Sequence, residues 1–124
     1  MEKLFIDFEM NSLDSQEKFT TFGELKNERI MFLDNESNKH YIVFSNNAIE
    51  YYKKGSMDMK FRFDIRSKTV GKYKINGNDF LFDIVTTKLE STSNRLVIEY
   101  DLLQGKEIIN KSKLKIMYSV AKEE

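Results

Sequence analysis

The chain reads as an all-β protein, a single antiparallel up-and-down barrel of eight to ten strands, and three observations predict it. Apolar and polar residues alternate with a period of two almost throughout the 124 residues, and helical spacing almost never wins. The links between the alternating runs are short and rich in Asn, Ser and Gly. There is no proline, so nothing interrupts a ladder of backbone hydrogen bonds. Eight or more short-linked strands in one small sheet tend to close and remove their edges. A two-sheet sandwich is the competing architecture, because the same alternation would fill its middle.

The elements follow in order. Leu4, Ile6, Phe8 and Met10 open the series, and KFTTFGEL, RIMFLD, HYIVFS, AIEYYK, MDMKFRFD, VGKYKI, FLFDIVTTKL, RLVIEYDLL and KLKIMYSV continue it. Each is short and rich in aromatic or β-branched residues, as strands are. NESN, SNN, KKGS, NGND, STSN and QGK separate them. Asn76-Gly77 is the clearest hairpin signal, since a two-residue type I′ turn needs positive φ at both central positions. The one helical candidate, SLDSQEKF from Ser12 to Phe19, is too short to stand alone and reads as a loop or single turn. With no linker, repeat or low-complexity tract, one domain is expected over residues 1–124.

Composition excludes several classes. Forty per cent of residues are hydrophobic and 13% aromatic, too much apolar material for a disordered chain. Twenty bases balance twenty acids, so any attraction to nucleic acid or an anionic membrane must come from local patches. With no cysteine, disulfides and thiolate chemistry are absent together. MEKLFIDFEM has no continuous apolar stretch of the signal-peptide kind, and no run approaches the roughly 18 apolar residues that span a bilayer. The expectation is a cytoplasmic protein.

From about Lys39 onward the chain resembles the YwiB-like family of uncharacterised calycin (lipocalin-like) β-barrel proteins from low-GC Gram-positive bacteria. The residues that carry the resemblance are Lys53-x-Gly55, Met59-x-Phe61, Tyr73 with Gly77, Phe82-x-Ile84-x-Thr86-x-x-Leu89, Leu96-x-Ile98-x-Tyr100-x-Leu102 with Gly105, and Leu114-x-Ile116. The resemblance implies the calycin-like barrel and no established catalytic activity. Lys53 and Ile75 depart from it, standing where the family pattern prefers Arg and Thr. Arg offers a planar fork of donors and Lys only a point charge, so a site shared by relatives would be altered here.

Catalysis is poorly provided for, and the protein is expected not to be an enzyme. The single histidine, His40, opens the strand HYIVFS and reads as an exposed or edge residue. The carboxylate pairs Asp7/Glu9 and Glu99/Asp101 sit at i, i+2, which places each pair on the face opposite the apolar one. Glu50 and Asp83 fall outside by the same alternation. No close His/Cys spacing, Asp-rich loop or clustered glycines suggest a metal or phosphate site, so no cofactor is expected.

Two binding readings remain. In the first, the apolar faces converge and hold a small hydrophobic or amphipathic ligand, with Tyr51, Phe82, Thr86, Ile98, Tyr100 and Tyr118 as interior lining and Lys53 near a barrel end holding a carboxylate or phosphate. The bulk of these residues argues for a filled core instead, and the hydroxyls of Thr86, Tyr51, Tyr100 and Tyr118 must find partners once buried. In the second, residues 53–74, with eight bases against Asp58 and Asp64, form a basic-aromatic outer surface for RNA or a protein. Lys60 and Arg62 share one face there, as do Lys72 and Lys74, and Tyr52 is a candidate outward aromatic. The first reading is preferred on sequence, with nucleic acid the less favoured partner.

Overall fold

In the computed structural model, which describes residues 1–121, ten antiparallel strands follow one another around a closed barrel. They are β1 (Glu2–Asn11), β2 (Gln16–Lys26), β3 (Arg29–Leu33), β4 (Lys39–Phe44), β5 (Ile49–Lys54), β6 (Asp58–Phe63), β7 (Thr69–Ile75), β8 (Asn78–Ser91), β9 (Arg95–Gln104) and β10 (Glu107–Val120). Each pairs with its sequence neighbour, and β1 closes the ring on β10 through the register Leu4↔Val120 to Asn11↔Lys113. Every strand thereby has a neighbour on both sides, although β6 and β7 pair only through residues 58–60 and 72–74. Residues 122–124 of the single expected domain lie outside the described residues.

The turns have the chemistry their geometry demands. Asn76 and Gly77 take φ of 52° and 79°, as the two-residue hairpin requires. The β2–β3 turn makes the same demand of Asn27 and Glu28, at 50° and 62°, the second being an unfavourable conformation for glutamate. Ser12 to Ser15 form the β1–β2 link, closed by the Ser12 N–H on the Ser15 carbonyl, and the strand resumes at Gln16 in place of any helix. We call the end holding the β1–β2, β3–β4, β5–β6, β7–β8 and β9–β10 links the lower end.

Alternation places Leu4, Ile6, Phe8, Ile30, Phe32, Ile42, Phe61, Phe63, Ile84, Leu96, Ile98, Leu114 and Ile116 inside, each essentially inaccessible. A ten-stranded barrel is wider than an eight-stranded one and needs bulkier filling. Rings supply it: Phe8 stacks on Phe19 at 4.7 Å between centroids, Phe32 on His40 at 4.7 Å, and Phe63 meets Tyr100 at 4.7 Å. Bulges at Thr86/Lys88 and Ile108/Asn110 interrupt the register of β9 with its two neighbours. Strict alternation fails at Val97, which belongs to the outer face yet is 1% exposed. Its register partners Lys115 and Glu90 flank it with long side chains, whose stems cover apolar surface.

Candidate functional site

The expected interior residues do not converge on one chamber. Ile98, Thr86 and Tyr100 are buried in the middle of the wall formed by β8 and β9, with Thr86 and Tyr100 opposite each other in register. Phe82 is half-buried towards the lower end and packs edge-on against Tyr73 at 5.6 Å. Tyr118 is half-buried at the opposite end, where its hydroxyl donates to the Thr92 carbonyl at 3.1 Å. Lys53 continues the Tyr51 face to the lower rim, half-buried, beside a depression of about 270 Å³ shared with Glu17, Asp34 and Asn38. Tyr51, Ile98 and Tyr100 belong to the apolar cluster of the barrel interior, and Tyr118 packs against it.

The hydroxyls find unequal partners. The Tyr51 hydroxyl donates to a strong acceptor, His40 Nδ1, whereas the Tyr100 hydroxyl reaches the Met10 sulfur at 3.7 Å, a weak acceptor. Burial raises the Tyr100 pKa well above the ordinary tyrosine range. Thr86 Oγ1 is buried and, among the described residues, has no hydrogen-bond partner.

His40 is not an edge residue. It is fully buried, its Nε2 lies 2.9 Å from Asp34 Oδ2, and its Nδ1 lies 2.6 Å from the Tyr51 hydroxyl. The reason is phase: His40 is two residues before Ile42 and shares its inward face, so it caps the core beside Phe32 rather than the solvent. The period-two signal is present in HYIVF, but a place at the start of a strand does not by itself separate an inward rim position from an exposed one. Asp34 was invisible to strand patterning because it lies in the β3–β4 loop. Its carboxylate organises that loop, accepting the N–H groups of Glu36 at 2.8 Å and Asn38 at 3.0 Å and the Asn38 side-chain amide at 3.1 Å.

Burial by itself would raise the Asp34 pKa, but these hydrogen bonds and that of His40 outweigh it and hold the carboxyl well below the usual carboxylate range. Burial pushes the His40 pKa down, against the opposing effect of Asp34, and the nearby Lys53 ammonium lowers it further. The neutral ring therefore donates Nε2–H to Asp34 and accepts the Tyr51 hydroxyl at Nδ1. An Asp–His pair can orient a general base, yet here both ring nitrogens are engaged and the ring is enclosed. The arrangement joins β4, β5 and a loop; it presents no nitrogen to a substrate.

The outer wall is organised by the same register. Tyr41, Tyr52, Lys60 and Lys72 lie side by side across β4, β5, β6 and β7, each directly opposite the next. One step lower, Lys39 stands opposite Lys54, and Asp58 opposite Lys74. A groove of about 260 Å³ runs over Tyr52, Lys54, Lys60, Lys72 and Lys74. The Arg29 guanidinium sits 5.5 Å from the Tyr41 ring centre and the Lys60 ammonium 5.7 Å from that of Tyr52. Glu50 accepts the Tyr52 hydroxyl and pairs with Arg62 at 3.0 Å, so this acid is outside the barrel and already neutralised. Its hydrogen bond raises the Tyr52 pKa to about 12.

The remaining acids expected outside are there. Asp83 faces Lys68 at 3.6 Å, Glu99 faces Lys88 at 3.7 Å, and Asp101 faces Lys111 at 3.3 Å. Among the described residues no group of three or more His, Cys, Asp or Glu side chains is placed to hold a metal ion. No helix of the described residues is long and apolar enough to cross a membrane.

Comparison with known proteins places this geometry in context. The family model described as a domain of unknown function (DUF1934) matches residues 6–116. Among solved structures, the chain is similar to the crystal structure of the ywiB protein from Bacillus subtilis, with a TM-score of 0.70 and 19% identity over 97% of this chain and 91% of that one. At that identity the likeness is one of fold. No curated protein matches the chain.

Proposed function

The chain belongs to the DUF1934 family and is a YwiB-like β-barrel, and from that premise we propose that it is a non-catalytic interaction module that binds an extended polyanion along its outer wall. The observation that carries this reading is a pair of like-charge cross-strand register pairs on one wall, Lys39 opposite Lys54 and Lys60 opposite Lys72, the last only partly compensated by Asp79 at 3.4 Å on an exposed face. Like charges directly opposite one another weaken a sheet, so folding alone gives no reason to collect them. A row of phosphates or sulfates relieves the repulsion and releases counterions. The wall carries its charges where a membrane barrel would carry an apolar band, which fits a protein working in water, in the cytoplasm on our reading.

Inorganic polyphosphate tests the proposal directly. Its binding, followed by calorimetry, should weaken steeply as salt rises, and Lys60→Glu with Lys72→Glu should remove it with the fold intact. Equal affinity in the native and doubly reversed proteins would sink the reading.

A second reading keeps the small hydrophobic or amphipathic ligand, and Thr86 is what favours it. A buried hydroxyl without a partner, opposite a tyrosine whose own acceptor is a thioether, is where a ligand's polar end would be welcome. Native mass spectrometry of the purified protein would reveal a retained fatty acid or lipid, and a spectrum of bare protein alone argues against it.

A further inference from the structure

Resting on the polyanion reading of the same wall, we infer that the partner is a single-stranded nucleic acid whose bases stack on Tyr41 and Tyr52 while its phosphates follow the lysines. Charge alone does not account for this wall, because a polyanion without bases has no use for two outward aromatic rings at directly opposite positions. Stacking is the interaction that every base offers through its face, and it is open only where the strand is single. A duplex turns its base faces inward and presents phosphates alone.

The geometry suits such a strand. The four columns from β4 to β7 span about 14 Å at the ordinary spacing of neighbouring strands. Tyrosines hold the β4 and β5 columns and lysines the β6 and β7 columns of one row, with Lys39, Lys54 and Lys74 in the row beneath. A strand laid across the columns therefore meets rings in its first half and cations along its whole length. The Arg29 and Lys60 cations lie over the two rings, on flexible side chains that a stacking base displaces and that are then free to meet its phosphates. Glu50 holds the Tyr52 hydroxyl, and with it the ring, in one orientation. The wall also holds the acids Glu50, paired with Arg62, Asp58, opposite Lys74, and Asp79, which stands opposite Lys74 on its other side and pairs with Lys72 at 3.4 Å.

The test uses fluorescence anisotropy with labelled oligouridine and oligodeoxythymidine of about twelve nucleotides, comparable to the sites of other barrels that bind single strands. A duplex of the same length, inorganic polyphosphate and poly-glutamate serve as comparisons. Single strands should bind more tightly than the duplex and the poly-glutamate. Tyr41→Leu and Tyr52→Leu should each weaken single-strand binding by about five-fold or more while polyphosphate affinity stays unchanged. Tyr52→Trp, which keeps a ring, should retain it. RNA and DNA arms tell which sugar is preferred, and either preference supports the inference. Equal binding of duplex or poly-glutamate, or leucine variants that bind single strands as the native protein does, overturns it. If polyphosphate still binds in that case, the polyanion reading survives; if nothing anionic binds, both fall.

Discussion

His40 Nδ1 and the Tyr51 hydroxyl lie 2.6 Å apart on neighbouring strands, inside a barrel lined mainly by apolar side chains. The two side chains are not register partners: His40 stands opposite Lys53, and Tyr51 opposite Ile42. The tyrosine leans along its strand to reach the ring, and the Asp34 loop closes over the other nitrogen. Because a buried polar group costs more unpaired than a paired one contributes, this chain fixes the conformation of the lower end more than it adds stability. It also couples that end to pH.

The sign of the coupling follows from the direction of the His40 shift. Its folded pKa lies below the unfolded value of about 6.5, so the unfolded chain takes up the proton first as pH falls. The stability this neutral ring contributes is complete above about pH 6.5 and is lost as pH drops towards the folded value. One proton gives a slope of at most about 1.4 kcal/mol per pH unit. Thermal melts from pH 7.5 to 5 should show falling midpoints, and His40→Phe should flatten the dependence. A native midpoint that rises or stays level across that range contradicts the assignment of His40 as neutral.

Tyr51→Phe removes the donor to Nδ1 and leaves that nitrogen unpaired in the core. The loss should be about 1–3 kcal/mol at neutral pH. The hydrogen bond it removes favours the neutral ring, so the variant's His40 pKa should rise and its acid sensitivity shrink. Histidine resonances followed by NMR against pH measure this shift, and an unchanged titration would show that the hydroxyl does not act on the ring.

Gly55 stands against Asn38, whose side-chain oxygen accepts the Ser56 N–H at 3.2 Å. A Cβ at position 55 would lie 1.8 Å from that oxygen and 2.7 Å from its carbon. Asn38 is not free to move aside, since its amide and backbone N–H both bind Asp34. Gly55→Ala should therefore cost about 2 kcal/mol, in the range of overpacked cores, and should disturb the His40 titration through Asp34. Denaturant unfolding at neutral pH reads the first effect; a variant as stable as the native protein would show the loop to be pliable.

These contacts mark where sequence stops being informative. Alternation located all ten strands, because one buried face imposes a period of two whatever lies across the barrel. The Asn76–Gly77 turn was legible for a local reason as well, the φ values it must adopt. The row Tyr41–Tyr52–Lys60–Lys72 was half legible: Lys60 and Tyr52 could be placed outward, but that they stand side by side depends on register, which turn lengths set between strands. Asp34, His40 and Tyr51 meet only when the barrel closes over them, and no spacing along the chain announces that. Phe82 and Tyr118 kept the inward phase but fell near the ends, since phase gives a face and not a depth.

Thr86→Val separates a solid interior from one that serves a ligand. Valine replaces a hydroxyl without a partner by a methyl of similar shape, and a buried unsatisfied group costs about 1–3 kcal/mol. In a protein that holds nothing inside, the substitution should leave stability unchanged or raise it by up to that amount. A clear loss, measured by thermal unfolding, would mean the hydroxyl is engaged by something bound within the barrel.

Lys60→Glu sets stability against binding at one position. Glutamate there faces Lys72 across β6 and β7, sharing it with Asp79, and has Arg62 two residues along the same face, while Asp58 is a like-charged neighbour on its own strand. Exchanging a repulsive cross-strand pair for an attractive one should stabilise the sheet by about 0.2–1 kcal/mol, less at high salt because these side chains are exposed. The same change removes a cation from the middle of the row and places a repulsive charge beside Tyr52, so polyanion affinity should fall at least ten-fold. A wall kept basic for a partner predicts opposite movements in the two measurements, with the melting point up and the affinity down. A wall that merely keeps the surface solvated predicts no change in affinity, and a variant less stable than the native protein would remove the argument from repulsion on which the proposed function stands.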